Sequence, residues 1–435
     1  MSGTTRQETL AQAMDRGRRE APDLAEEEEE VTFGPVTDWA NDFDHTDEHW
    51  VGDPYPIWDA LRRQCPVAHS DRYGGAWLPT RHEDVAAVAY DTERFSSRSV
   101  VMTGHRPPRD FAPAGVSPPI SSDPPFHHGA RRVLLPAFSP AAVARLEATT
   151  RDYCHSLLDG LGDRREIDAA TEYAQHIPVR VIADMLGFPP ADGQVFRGFV
   201  HDVLEGVTRP REERWESLQG LIGYLATQIE DHVENPRDDL TSFLIGADVD
   251  GSQLDWRHIV GTIALLLIAG IDTTWSAIGA SLWHLASHPG DTGRLVEDPS
   301  LMLTAVEELL RAYAPVTMAR LVKNDMEWSG CPMKADDWVL LSFPAANRDP
   351  EAFEDADRVV IDRAANRHAA FGLGIHRCIG SNLARMEIRV ALQAWLERFP
   401  AFSLADPSAV TWSVGQVRGP RTLPLLVTPG ASAVA

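Results

Sequence analysis

A single cysteine in a glycine-rich loop is the residue best suited to chemistry in this sequence. Cys378 lies in Phe371-Gly-Leu-Gly-Ile-His-Arg-Cys-Ile-Gly380, and a helix is predicted to begin at Ser381. A thiolate that binds iron must be deprotonated and surrounded by N–H donors that stabilise its charge. The glycines permit a tight backbone that aims such donors at the sulfur, and the start of the helix adds its positive dipole end. The loop therefore favours a thiolate ligand.

Three other roles for Cys378 compete with iron binding. A free cysteine is most often a small buried hydrophobe. A Cys–His nucleophile pair is conceivable, but His376 is only two residues away, and that spacing does not by itself bring the two side chains together. A zinc site lacks further ligands at a suitable spacing. The pattern Phe-x-x-Gly-x-His-x-Cys-x-Gly before a helix is specific enough to favour the iron ligand.

This pattern resembles the haem-binding loop of the cytochrome P450 superfamily, in its soluble bacterial branch. The resemblance implies that haem b is the cofactor and that Cys378 is the axial ligand of its iron, with Phe371 and Gly380 beside the ligand. It also implies a monooxygenase, which inserts one oxygen atom from O2 into an organic substrate. The fold implied is mainly α with small β-sheets, with the haem between a long central helix and the cysteine loop.

The segment Ala269-Gly-Ile-Asp-Thr-Thr274 places an acid next to an alcohol inside the predicted central helix. Reductive cleavage of dioxygen needs two protons, which a hydroxyl and a carboxylate connected to solvent can deliver. Gly270 weakens the helix and Thr273 can bond back to a preceding carbonyl, which predicts a widened turn. An ordinary bent helix is the alternative. The segment resembles the family's acid–alcohol pair, which implies that Asp272 and Thr273 are the catalytic residues.

Glu308 and Arg311 are three residues apart and share one face of a predicted helix. A surface salt bridge is the ordinary explanation of such a pair. In the family, a Glu-x-x-Arg helix precedes the cysteine loop and pairs with a further arginine, and Arg363 matches that position. The resemblance therefore implies a buried structural network that performs no redox chemistry.

The two haem propionates need cationic partners if they are buried. The resemblance implies that His127, Arg131, Arg320 and His376 contact them. It also places five residues at the substrate pocket, with a contribution from the Pro- and Gly-rich loop 97–122. They are Leu266, Ala269, Val316, Met318 and Val417. Most are apolar, which favours a small nonpolar or aromatic substrate, although Leu266 and Val316 could equally be core residues.

The sequence pattern predicts helices with a few short strands. Strands are expected at 75–80 and 337–343. Ser139-Pro140 is typical of a helix start, with Ser as the cap and Pro just inside. Further helices are predicted at 259–288, 303–312 and 381–399, the first of them apolar on nearly every side and therefore buried.

Composition excludes several classes of protein. The net charge of −24 argues against nucleic-acid binding. Four scattered cysteines suit a reducing cytoplasm better than a disulfide scaffold, and the longest apolar run, 259–271, is too short to span a membrane. The acidic segment 1–30, which ends in five glutamates, predicts a disordered tail, and 31–435 is expected to form one haem-binding domain.

The expected partners follow from the resemblance. No flavin or iron–sulfur module is recognised after residue 428, so electrons from NAD(P)H are expected to arrive through a separate ferredoxin and ferredoxin reductase. Arg132 and Arg377 could contact an acidic ferredoxin, although surface arginines usually only face solvent. A peroxide-driven haem-thiolate enzyme and a non-catalytic haem sensor remain alternatives. Neither would need Asp272 and Thr273.

Overall fold

The structure is a computed structural model that describes residues 33–104, 106–206, 209, 211–249 and 251–428. The tail predicted at 1–30 lies outside the described residues. The prediction of a single domain for 31–435 stays a prediction.

Helices carry most of the described chain, and they surround the site described below. In chain order they are α1 (Glu48–Gly52), α2 (Tyr55–Gln64), α3 (His82–Tyr90), α4 (Phe126–Leu134), α5 (Pro140–Ala144), α6 (Glu147–Gly160), α7 (His176–Leu186), α8 (Gly193–Leu204), α9 (Arg211–Glu234), α10 (Leu240–Gly246), α11 (Trp256–Ser287), α12 (Pro289–Glu297), α13 (Met302–Ala312), α14 (Phe343–Ala346) and α15 (Ser381–Arg398). The class predicted from the sequence, mainly α with small sheets, is confirmed.

The strands are short. They are β1 (Val67–Ser70), β2 (Ala76–Pro79), β3 (Phe95–Ser96), β4 (Glu166–Asp168), β5 (Asp248–Val249), β6 (Ser252–Gln253), β7 (Thr317–Val322), β8 (Met326–Trp328), β9 (Cys331–Met333), β10 (Trp338–Ser342), β11 (Ala401–Leu404), β12 (Thr411–Trp412), β13 (Pro420–Thr422) and β14 (Pro424–Thr428). A three-stranded sheet has the order β11-β14-β4, and β5-β6, β8-β9 and β12-β13 are two-stranded.

The largest sheet has five strands in the order β1-β2-β10-β7-β3. Its strand β10 pairs in parallel with β2 and antiparallel with β7. Successive side chains of a strand point to opposite faces. Trp338 and Leu340 pack into one apolar cluster, and Val339 and Leu341 pack into another. Burial on both faces explains why this strand is a continuous apolar run in the sequence.

Helix α11 passes through the largest apolar cluster and packs against α7, α8 and α15. The carboxylate of Asp255 caps its first turn by accepting from the N–H of His258 at 2.7 Å. Among the described helices, α11 alone is long and apolar enough to cross a membrane. Because 67% of its most apolar window is buried inside the protein, it has the surroundings of a core helix.

Candidate active site

One cavity with an empty volume of about 1390 Å³ lies between α11 and the cysteine loop. Its wall contains most of the residues predicted for the site. They are Arg131, Leu266, Ala269, Thr273, Val316, Met318, Arg320, Phe371, His376, Cys378 and Gly380. Pro119 and Ile120 also line it, so the 97–122 loop contributes as expected.

The cysteine loop is closed by a hydrogen bond from the N–H of Cys378 to the carbonyl of Phe371 at 2.7 Å. Gly372 and Gly374 adopt φ values of +69° and +68°, which favour glycine because it has no Cβ. A Cβ on Gly374 would also overlap the carbonyl oxygen of Ala89. These two glycines therefore fix the path of the loop against α3.

Gly380 behaves differently from the other two glycines. Its φ of −81° suits any residue, and a Cβ there would lie 3.8 Å from the Cys378 sulfur, an ordinary contact. The prediction that Gly380 provides a tight backbone was therefore wrong. Its contribution is its N–H group, which hydrogen-bonds the sulfur.

The Cys378 sulfur borders the cavity in a polar backbone environment. Burial raises the pKa of the thiol, whereas the N–H of Gly380 and the nearby charge of Arg131 act to lower the pKa. The start of α15, which has no side-chain cap, adds the positive end of a helix dipole. Phe371 lies beside the sulfur on the cavity wall, with the guanidinium of Arg385 over its ring at 4.4 Å.

Helix α11 forms the opposite wall, where Thr273 reaches the cavity. Its hydroxyl donates to the carbonyl of Ala269 at 2.9 Å, the back-bond that the sequence predicted. The predicted widened turn is not observed, because α11 continues as α-helix through Gly270 and Thr273. A Cβ on Gly270 would press against Ile182 at 3.2 Å, so this glycine serves the close approach of α7.

Asp272 points away from the cavity wall and is fully buried. One carboxylate oxygen accepts from Arg421 Nη2 at 2.7 Å, and the other has no hydrogen-bond partner among the described residues. Arg421 in turn donates to Glu205 at 2.6 Å. Burial raises the pKa of Asp272 to about 6, and Arg421 limits that rise. A carboxyl group with this pKa can gain and lose a proton near neutral pH.

A cationic end of the cavity lies near the cysteine loop. Arg320 is buried, and its guanidinium donates to the carbonyl of Ala319 at 2.8 Å without an ion pair among the described residues. Burial lowers the pKa of Arg320 to about 10 and that of His376 to about 2. His127 is buried with both ring nitrogens unpartnered among the described residues, and its ring lies 4.4 Å from that of His376. Arg131 completes the group through a 2.6 Å bond to the carbonyl of Arg377.

These residues fit a haem. A buried arginine without a carboxylate partner is unfavourable unless an anion compensates its charge, and the orphaned imidazole nitrogens of His127 need hydrogen-bond partners. Two propionates would supply that anion, and because His127 lies outside the described wall its part in binding them stays a prediction. His376 Nε2 lies 2.9 Å from Ser97 Oγ, so the 97–122 loop also supports this end of the cavity.

The predicted structural network is present and buried. The side chains of Glu308 and Arg311 are completely inaccessible, and that of Arg363 is 11% exposed. Arg311 binds both carboxylate oxygens at 2.8 Å, and Arg363 binds one at 2.9 Å. Although burial raises the pKa of Glu308, the hydrogen bonds from Arg311 and the N–H of Val360 lower the pKa below its usual value.

The structure also separates some predicted residues from the cavity and adds others. Val417 pairs with Val316 through an isolated bridge and does not line the described wall, and neither does His127, which lies behind His376. Several wall residues were not predicted. They include Leu134, Phe138, Ile182, Leu265, Phe343, Leu383 and Glu387. Apolar helix residues give no sequence pattern that separates cavity from core, and Glu387 became conspicuous only as a buried carboxyl with an unpartnered oxygen.

Comparison with known proteins agrees with this geometry. The family model for Cytochrome P450 matches residues 185–300 and 292–408. The mycinamicin IV hydroxylase/epoxidase of Micromonospora griseorubida is 34% identical, over 81% of this chain and 89% of that protein. The vitamin D(3) 25-hydroxylase of Pseudonocardia autotrophica is 36% identical, over 81% and 88%. The solved structure of cytochrome P450 PksS from the Bacillus subtilis 168 bacillaene polyketide synthase is 30% identical, with a TM-score of 0.81 over 89% of this chain and all of that one.

Proposed function

The chain belongs to the cytochrome P450 family and is a cytochrome P450 monooxygenase, and from this premise we propose that it oxygenates a small, mostly nonpolar organic molecule beside Cys378. The observation that carries the proposal is a single cavity bordered by Cys378, Thr273 and Arg320. A cysteine sulfur, an alcohol and a buried guanidinium that forms no ion pair among the described residues thus face one space. That combination supports a bound haem with a proton supply on its other side.

Cys378 is proposed as the only protein ligand of the haem iron. The N–H of Gly380 and the start of α15 stabilise its thiolate. Arg320, Arg131, His127 and His376 are proposed to hold the propionates, the first two by charge and the histidines by hydrogen bonds. When bound, haem supplies the one-electron and O2 chemistry that amino-acid side chains lack.

The proposed proton route uses Asp272 and Thr273. Thr273 presents its hydroxyl to the cavity while its proton engages Ala269. Asp272 takes protons from the Arg421 and Glu205 side of α11, both of which are partly accessible, and passes them toward Thr273. The pKa of about 6 supports this relay, because the carboxyl group can both accept and release a proton near neutral pH.

The substrate is proposed to occupy the apolar part of the cavity. Leu266, Ala269, Val316 and Met318 line it together with Pro119 and Ile120. These side chains exclude water and orient a nonpolar or aromatic molecule through its shape. The names of two relatives support an organic substrate, since one is named a mycinamicin IV hydroxylase/epoxidase and the other a vitamin D(3) 25-hydroxylase.

Electrons are proposed to come from NAD(P)H through a ferredoxin and its reductase. Arg132 and Arg377 are exposed near the cysteine loop, so they suit an acidic partner. All four cysteines are free, which supports a reducing cytoplasm as the location.

The haem assignment is tested by replacing Cys378 with serine. We expect the purified wild-type protein, reduced and exposed to carbon monoxide, to show the red-shifted Soret band of a thiolate-ligated haem. Cys378→Ser should lose that band because an alcohol is a weak ligand, whereas Cys331→Ser, a half-buried cysteine elsewhere, should keep it. A band that persists in Cys378→Ser contradicts the proposal.

The reaction is tested by a ligand screen that follows displacement of water from the haem by absorbance. Compounds that bind are then incubated with NADH, ferredoxin, reductase and isotopically labelled O2. One labelled oxygen atom in the product supports the monooxygenase. Turnover with peroxide alone, or no oxygen-dependent NADH use with any ligand, would instead support the peroxygenase or the haem sensor.

A further inference from the structure

A second concave site lies apart from the haem cavity, between α6, α7 and the start of α8. Its empty volume is about 670 Å³. The polar residues on its wall are Tyr153, His176, Arg180, Gln194 and Arg197. Among the described residues of this wall there is no carboxylate. In a chain with a net charge of −24, such a cationic cleft is unexpected.

Arg197 lies at the wrong end of its helix for a cation. Its guanidinium folds back over the first turn of α8, where Nη1 lies 3.7 Å from the place that a Cβ on Gly193 would take. Helix N-termini carry partial positive charge and favour anions, whereas cations are stabilising at C-termini. This arrangement therefore favours a negative charge in the cleft.

The two carboxylates next to the cleft, those of Asp192 and Asp184, already have partners, and that of Asp184 is Arg180 on the cleft wall. Asp192 precedes α8 but does not cap it with a side-chain bond, because its carboxylate accepts from the hydroxyl of Tyr224 at 2.8 Å. Asp184 accepts from Arg180 Nε at 2.8 Å. No ion pair to Arg197 is formed within the described part of the chain, and burial lowers the pKa of its guanidinium.

The opposite wall adds further donors. The guanidinium of Arg180 lies over the ring of Tyr153 at 5.4 Å, and its Nε donates to Asp184. His176 binds the carbonyl of Thr171 at 3.0 Å through Nε2. Tyr153 presents a phenol whose pKa burial raises, so it remains a donor. Two arginines, a phenol and an uncapped helix start thus meet at one cleft.

We propose that this cleft binds a small organic phosphate monoester as a site separate from the haem. Arginine forks and helix N-termini are the groups that bind phosphate oxygens in proteins. The phosphate would lie between Arg197, Arg180 and the start of α8, and it supplies the missing negative charge. The uncharged part of the wall, formed by Val179, Pro190 and Ala191, suits a small organic group beyond the phosphate.

The test measures binding to the haem-loaded enzyme by calorimetry, with glycerol 3-phosphate as the probe. Glycerol with sodium chloride at the same ionic strength is the blank. We expect saturable binding and a rise in the thermal midpoint, because a ligand of the native state stabilises it. Arg197→Gln should weaken binding at least about tenfold, since it removes a charge-assisted bond.

Two variants keep the test decisive. Arg197→Lys retains the charge and should retain most of the binding, and Arg63→Gln, an exposed arginine on α2, should bind as the wild type does. The carbon monoxide spectrum verifies that each variant is folded. Absence of saturable binding, or equal affinity in wild type and Arg197→Gln, overturns the proposal. Because binding is read without turnover, either result leaves the monooxygenase assignment unaffected.

Discussion

At the scale of single residues, the position of Asp272 decides how protons can reach the cavity. The carboxylate is buried and accepts from Arg421, which also donates to Glu205, and both of these partners are partly exposed. The guanidinium favours the ionised carboxylate, whereas burial favours the neutral acid. The balance of these two effects places the pKa of Asp272 at about 6.

Removing Arg421 should therefore shift the pH dependence of turnover. In Arg421→Met the pKa of Asp272 rises, because the opposite charge that lowers it is gone, and a nearby opposite charge is worth about 1–3 pKa units. If the ionised carboxylate collects protons for Thr273, the acidic limb of activity moves to higher pH by about one unit or more. The measurement is the amount of product formed per NADH consumed, followed as a function of pH.

Two variants test whether the shift comes from Asp272. Ser276→Ala removes only the 3.2 Å bond from Arg421 to Ser276 and should leave the limb in place. Asp272→Asn should abolish the limb. An unchanged pH profile in Arg421→Met would remove Asp272 from the proton route.

The sequence predicted the residues of this route but not what controls them. Asp272 and Thr273 are adjacent and belong to one recognisable segment, and so do the members of the cysteine loop. Arg421 is 149 residues from Asp272, and nothing local in either segment indicates that they meet. Ser97 beside His376 was missed for the same reason.

At the scale of elements, Glu308 joins α13 to the chain before the cysteine loop. Its carboxylate binds Arg311 in its own helix and Arg363, Asn366 and the N–H of Val360 in the later segment. Arg311 also donates to the carbonyls of three residues between 347 and 358. The network therefore fixes the direction from which the chain enters the cysteine loop.

Glu308→Gln should destabilise the protein strongly. Loss of one partner leaves Arg311 as a buried, uncompensated cation, which costs about 3–5 kcal/mol. The free energy of unfolding is measured with guanidinium chloride and circular dichroism. Glu297→Gln, an exposed position on α12, should change it by less than about 0.5 kcal/mol. Equal values for the two variants would contradict the structural role of Glu308.

The same network predicts how the stability of the protein depends on pH. Because the pKa of Glu308 is depressed in the folded state, its stabilisation is present above the usual carboxyl range and is lost as the pH falls through the folded pKa. The free energy of unfolding of Glu308→Gln should therefore differ most from that of the wild type at neutral pH.

Element boundaries were predicted well where a periodic pattern ended at a cap. The central helix was expected at 259–288 and spans Trp256–Ser287, and the last long helix begins at Ser381 as predicted. Ser139 caps α5 through the N–H of Ala142. The widened turn near Gly270 was not observed. The close approach of α7 accounts for the glycine at that position instead. Sequence chemistry alone does not distinguish a glycine needed for space from one needed for bending.

At the scale of the whole molecule, charge is distributed unevenly. The chain carries a net charge of −24, yet Arg132 and Arg377 are exposed beside the cysteine loop. An acidic ferredoxin would be repelled by most of the surface and attracted to this face. Such steering acts on the rate of association and weakens as salt screens the charges.

Arg377→Glu should slow reduction of the enzyme by ferredoxin by about tenfold or more at low ionic strength, because it reverses a charge on the docking face. The difference from wild type should shrink at high salt, where the Debye length is about 3 Å. Stopped-flow absorbance measures the rate. Reduction by dithionite and the behaviour of Arg63→Glu serve as controls. An unchanged rate of reduction by ferredoxin would exclude this face as the ferredoxin-binding site.

Two parts of the cavity wall differ in their structural origin. Helices α11 and α15 supply Thr273 and the surroundings of Cys378, whereas Pro119 and Ile120 come from an irregular loop. Loops tolerate substitution better than packed helices do. Evolution could therefore exchange the accepted substrate by altering a few loop positions, while the machinery that activates oxygen stays intact. In this architecture the range of products can therefore change while the type of reaction is kept.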